Sequence, residues 1–211
     1  MELLEGETLA ARLERDSLPF GEAVSIALGV LAGLQALHLK QVVHRDLKPS
    51  NIFLTETGVK IIDFGVAHLQ EANSNITNTQ LTVPGLILGT PRYMSPEQVR
   101  GDAITPASDL FAAGAILFEM LSRRPAFAGR STLEVLHAIQ YGQAPTLTGS
   151  PVIAAVDRIV HRALAKEPRD RYPSADALAK ELRAALLIGD TNVAACARAM
   201  RSYFFPPAAV P

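Results

Sequence analysis

Behind the β-branched pair Val42-Val43, the chain places a carboxylate at Asp46, an ammonium group at Lys48 and an amide at Asn51 within one short stretch, HRDLKPSN. A carboxylate beside a bound hydroxyl can take up its proton, and a lysine two residues on can neutralise a transferring phosphoryl group. An amide further along can share a Mg2+ ion with a second carboxylate. Asp63, followed by Phe64-Gly65, is the natural second carboxylate. Taken singly, an Asp or Asn in a loop is more often a turn or cap residue than a ligand. The four in this order point instead to phosphate and metal chemistry.

The surrounding pattern says what must hold these groups. Thr8 can cap a short helix through Leu13, and Pro19 suits the first residue of a long helix ending near Lys40, with Gly29 and Gly33 allowing close packing. The runs from Asn51 to Leu54 and from Val59 to Ile62, separated by Thr55-Glu56-Thr57-Gly58, predict a hairpin that folds Asp63 back toward Asn51. Residues 69–92 are polar and turn-rich, without helical or strand period, as expected of a functional or disordered loop. Helices are then expected from Thr105-Pro106 to Leu121, from Ser131 to Ile139, from Ser150-Pro151 to Leu164 and from Ser174 to Leu187, making the second half a helical bundle.

Composition narrows the class. With 211 residues, 48% hydrophobic and 19% charged, the chain reads as one globular domain, or one domain with a tail. A net charge of −1 gives no electrostatic case for nucleic acid or an anionic membrane surface. The uncharged run Ala23 to Leu37 is shorter than the ~20 residues that span a bilayer and reads as a buried core helix. A single cysteine, Cys196, rules out an intrachain disulfide framework and suits a reducing, cytoplasmic setting. The histidines lack ligand spacing, and no Walker-type loop, GxSxG or HExxH occurs.

The segments HRDLKPSN (44–51), DFG (63–65), GTPRYMSPEQ (89–98) and SDLFAAG (108–114) resemble, in order, the motifs of the eukaryotic-type protein kinases, over residues 1–187. The resemblance implies a mainly α fold, that of the kinase C-terminal lobe: a helical bundle with a small β-hairpin at the catalytic loop. By it, Asp46 is the catalytic base, Lys48 contacts the γ-phosphate of ATP, and Asn51 and Asp63 bind Mg2+. His44 would pack with Phe64, Asp109 would hold the backbone of the catalytic loop, and Glu97 would pair with Arg171. Lys48 and Thr90 match the serine/threonine pattern, so the expected partner is a protein substrate with a Ser or Thr acceptor. The wording of GTPRYMSPEQ is similar to the bacterial members. Arg45 is expected to receive a phosphate on Thr77, Thr79 or Thr82.

The front of the chain departs from the family. No glycine-rich phosphate loop, VAIK-like lysine or partnering glutamate is found, and MELLEGETL resembles the hinge between the lobes. By that alignment the backbone of Glu2 and Leu4 faces adenine and Phe53 forms its floor, while the N-terminal lobe is absent and would come from a missing segment or a partner chain. The expectation is therefore a serine/threonine kinase present as a fragment, with a non-catalytic kinase-like interaction module as the alternative. Residues 188–211 form a tail of unassigned role.

Overall fold

A computed structural model describes residues 5–62 and 91–187. Thr8 closes the two-residue strand β1 (Glu7–Thr8) and caps helix α1 (Leu9–Arg15), its side chain accepting the Ala11 N–H. Pro19 then sits at the N-cap of α2 (Phe20–Leu39). A single 3-10 turn, Pro49–Asn51, leads into strands β2 (Ile52–Thr55) and β3 (Gly58–Ile61). Thr55 pairs with Gly58, so the hairpin turn is only Glu56-Thr57.

The sheet has three strands in the order β1-β2-β3, all antiparallel, where the sequence predicts two. Glu7 pairs with Leu54 and Thr8 with Phe53, so the segment that reads as an interlobe connection also supplies an edge strand. Two residues are too few to show the period-2 alternation by which a strand is recognised.

Beyond residue 90 lie α3 (Pro96–Arg100), α4 (Pro106–Ser122), α5 (Thr132–Tyr141), α6 (Pro151–Ala163), a 3-10 turn at Pro168–Asp170 and α7 (Ala175–Leu186). Helix α3 adds to the expected set, although its signals are complete. Ser95 caps it in a capping box with Gln98, Pro96 opens it, and Gly101 closes it in the left-handed conformation.

The bundle is not confined to the second half. Helix α2 packs against α4, α7 and β3, and every residue from Ala23 to Leu31 is buried. A helix that is apolar all round must lie in a core or a membrane. At 20 residues and a mean hydropathy of 1.6, α2 is by length and composition alone long and apolar enough to span a bilayer, although its uncharged run is shorter; its burial here is that of the expected core helix. Its packing, rather than its length, accounts for its apolar character in this fold.

Gly29 and Gly33 bring α2 against the hairpin. A Cβ at Gly29 would lie 2.8 Å from Val59 Cγ2, and one at Gly33 would lie 2.8 Å from Ile61 Cδ1. The hairpin that follows residues 44–51 therefore rests directly on helix backbone. Gly29→Ala should force that contact apart and destabilise the protein by about 1–3 kcal/mol. Thermal denaturation checks it, with an unchanged melting temperature refuting the close approach.

Candidate functional site

The stretch from His44 to Asn51 is held from below by one carboxylate. Asp109, in the first turn of α4, is buried and accepts the backbone N–H of His44 (to Oδ2) and of Arg45 (to Oδ1), both at 2.9 Å. His38 of α2 donates its Nε2–H to the same Oδ2 at 2.8 Å. The expected role of Asp109 is thus met by geometry. Nothing in the sequence singles out His38, because its partner lies 71 residues away and no local pattern marks such a pair.

Two side chains from different helices fix Arg45. Its φ of 70° lies in the left-handed region, which costs a non-glycine residue roughly 1–2 kcal/mol. Asp109 takes its N–H, and its carbonyl accepts Gln98 Nε2–H at 2.6 Å. The next residue, Asp46, is exposed. Lys48 Nζ donates to Asp46 Oδ2 at 2.6 Å. Asn51 Nδ2 donates to the Asp46 backbone carbonyl at 2.9 Å and lies 3.4 Å from Oδ2. The three residues singled out for their spacing do converge.

Asn51 itself is buried; its amide nitrogen turns to Asp46, and its Oδ1, which accepts the Ser50 hydroxyl at 3.4 Å, is an oxygen of the type Mg2+ prefers. Among the described residues there is no cluster of three or more His, Cys, Asp or Glu side chains that could hold a metal ion. Ile62 is tied to the loop at both backbone groups: its N–H donates to Asn51 O at 2.9 Å, and its carbonyl accepts His44 Nε2–H at 3.2 Å. Asp63 follows next in sequence. It lies outside the described residues, as do Glu2, Leu4, Phe64, Thr77, Thr79, Thr82, Thr90 and Cys196. Phe53 sits in the central strand, between Thr8 and Lys60. Ile52 and Leu54 are buried, so Phe53, half-buried, faces the other side of the sheet from the core.

Residues 91–100 flank the loop. The Tyr93 hydroxyl donates to Glu119 Oε2 at 2.6 Å, and burial together with that bond pushes its pKa up, so the phenol stays protonated. Below it, Glu97 and Arg171 form the expected pair. Arg171 Nη1 reaches Glu97 Oε1 at 2.6 Å and Nη2 reaches Oε2 at 2.7 Å, with the side chains 0% (Arg171) and 2% (Glu97) exposed. The remaining guanidinium hydrogens go to the carbonyls of Ala165, Ala107 and Lys166. All five donors are satisfied, which is what makes a buried guanidinium tolerable. Burial pushes the Glu97 pKa up, but the hydrogen bonds from Arg171 and Ser108 outweigh it and leave the carboxyl below its usual range.

Residues 1–182 match the family model described as the protein kinase domain. Over 190 residues the chain is 41% identical to the serine/threonine-protein kinase PknL of Mycobacterium tuberculosis, covering 87% of this chain and 46% of that protein. Over 193 residues it is 39% identical to the serine/threonine-protein kinase Pkn1 of Myxococcus xanthus, covering 88% of this chain and 27% of that one. The chain therefore spans less than half the length of either relative.

Arg171→Ala should strand the Glu97 charge and destabilise the protein by about 3–5 kcal/mol. That corresponds to a fall in melting temperature on the order of 10 °C. Because the folded-state pKa of Glu97 is depressed, the contribution of the pair is complete at neutral pH and is lost as pH falls below the ordinary carboxylate range. Differential scanning calorimetry from pH 7 downward tests both statements. An Arg171→Ala protein melting with the parent at pH 7 would refute the clamp.

Proposed function

The chain belongs to the protein kinase family, and we propose that it carries the catalytic loop of a serine/threonine protein kinase, transferring the γ-phosphoryl group of ATP to a protein hydroxyl. The observation that carries this reading is the convergence on Asp46: Lys48 Nζ and Asn51 Nδ2 both approach its Oδ2, at 2.6 and 3.4 Å, while the carboxylate stays open to solvent. The order of these residues is that of the family whose model the chain matches. The names of its relatives favour a serine or threonine acceptor.

In this mechanism Asp46 orients the substrate hydroxyl and accepts its proton as the oxygen bonds to the γ-phosphorus and the bond to the β-phosphate oxygen breaks, releasing ADP. Lys48 offsets the negative charge of the transferring group. Asn51, through Oδ1, and Asp63 would hold Mg2+, which when bound neutralises charge on the phosphates. Phe53, on the open face of the sheet, would floor the adenine, with the backbone of Glu2 and Leu4 at its edge. The described helices would then form the C-terminal lobe of a kinase domain. The elements that fix the α- and β-phosphates in this family have no sequence counterpart in residues 1–211, so transfer requires a complementary N-terminal lobe.

Joined to the N-terminal lobe of a relative, residues 1–211 should phosphorylate serine or threonine peptides, and alone they should not. Robust transfer by the 211 residues alone would overturn the need for a second lobe. In the joined protein, Asp46→Asn should lower kcat by on the order of 100-fold or more while nucleotide affinity changes little. Turnover within a few-fold of the parent would remove Asp46 from the base role, whereas a joined protein that transfers nothing would favour a non-catalytic kinase-like interaction module.

A further inference from the structure

The strained residue in front of Asp46 is pinned at both ends, and only one of its anchors lies in the helix below. Arg45 is exposed, so side-chain burial does not hold its φ of 70°. Its N–H goes to Asp109 on α4, and its carbonyl accepts Gln98 Nε2–H from α3 at 2.6 Å, across 53 residues of sequence. That carbonyl belongs to the peptide plane whose other end is the nitrogen of Asp46. Rotating the plane swings the Asp46 Cα and hence its carboxylate.

Gln98 is well suited to hold that plane because its head group is itself fixed. Oε1 accepts the Ser95 backbone N–H at 2.9 Å and the Ser95 hydroxyl at 3.1 Å, which leaves Nε2 aimed at Arg45. A capping box accepts Glu or Gln equally at this position. A glutamate here would satisfy Ser95 but would set a carboxylate oxygen against the Arg45 carbonyl. An amide supplies the acceptor and the donor together.

We infer that Gln98 is a positioning residue for phosphoryl transfer, coupling the segment that ends at α3 to the orientation of Asp46 through the Arg45 carbonyl. The inference rests on the reading of Asp46 given above. It also assigns α3 a task beyond carrying Glu97: the cap of that helix and the conformation of the catalytic loop share one side chain.

The test compares two substitutions in the protein joined to its N-terminal lobe. Gln98→Glu keeps the cap and removes the donor, whereas Ser95→Ala removes the hydroxyl of the cap but leaves the shorter Ser95 backbone N–H bond to hold Oε1, and with it the bond to Arg45. Gln98→Glu should lower kcat about ten-fold or more, with KM for ATP and peptide changed by less than about two-fold, because a positional error acts on the transition state. Its melting temperature should stay within about 2 °C of the parent, since the cap is retained. Ser95→Ala should lower the melting temperature and leave kcat within about two-fold. A readout independent of activity is hydrogen exchange at the His44 and Arg45 amides, which should quicken in Gln98→Glu and not in Ser95→Ala. Should the parent transfer no phosphate, the kinase reading fails, and the exchange comparison still decides whether Gln98 fixes the conformation of the loop at Arg45. Unchanged amide exchange in Gln98→Glu, or an equal loss of kcat in both variants, overturns the inference.

Discussion

Asp109 is the constraint on which the rest depends. One buried carboxylate accepts a hydrogen bond from the imidazole of α2 and two from consecutive backbone amides of the loop, so a single group sets the distance between two core helices and the course of the chain across them. A carboxylate can accept several hydrogen bonds at once, and its place in the first turn of α4 adds the favourable end of the helix dipole. A neutral side chain there could not serve three donors with comparable strength. The left-handed turn at Arg45, and with it the direction in which Asp46 leaves the core, follows from this arrangement.

The groups proposed to react and the groups that hold them occupy different environments. The Asp46 and Lys48 side chains are 59% and 41% exposed, whereas those of Glu97, Asp109 and Arg171 are nearly inaccessible. Buried ionic networks tolerate little displacement, because moving either partner leaves a charge without compensation in a low-dielectric interior. Solvated groups remain free to exchange water for a substrate. The α3 segment joins the two regimes, with Glu97 facing the interior and Gln98 facing the loop.

Much of this arrangement is legible in the sequence where the cause is local. Thr8, Ser131 and Ser174 announce their helices through side-chain caps, and the Thr55 to Gly58 turn announces its hairpin. Gly29 and Gly33 mark a close contact without naming its partners, Val59 and Ile61. The convergence of Asp46, Lys48 and Asn51 also needs only short spacing. Three features stay hidden for different reasons. Strand β1 is too short to carry a period, and it exists because β2 offers an edge. His38 and Gln98 find partners 71 and 53 residues away, so their chemistry is invisible until the chain folds. Helix α3 carries every cap signal, but it is only five residues long and its first three, Pro96 to Gln98, belong to a motif whose character masks the helical one.

The separation between the loop and its anchor also bears on how the protein is made. His44 lies 65 residues ahead of Asp109, and the side-chain carbonyl of Gln35 accepts the backbone N–H of Asp176, 141 residues later. At ribosomal speeds of about 5–20 residues per second, roughly 3–13 s pass between synthesis of the loop and synthesis of its carboxylate. During that interval α2, apolar on every side, has neither α4 nor α7 to cover it. The nascent chain thus presents this apolar helix before its partners exist, an interval in which uncovered apolar surface favours association with other chains.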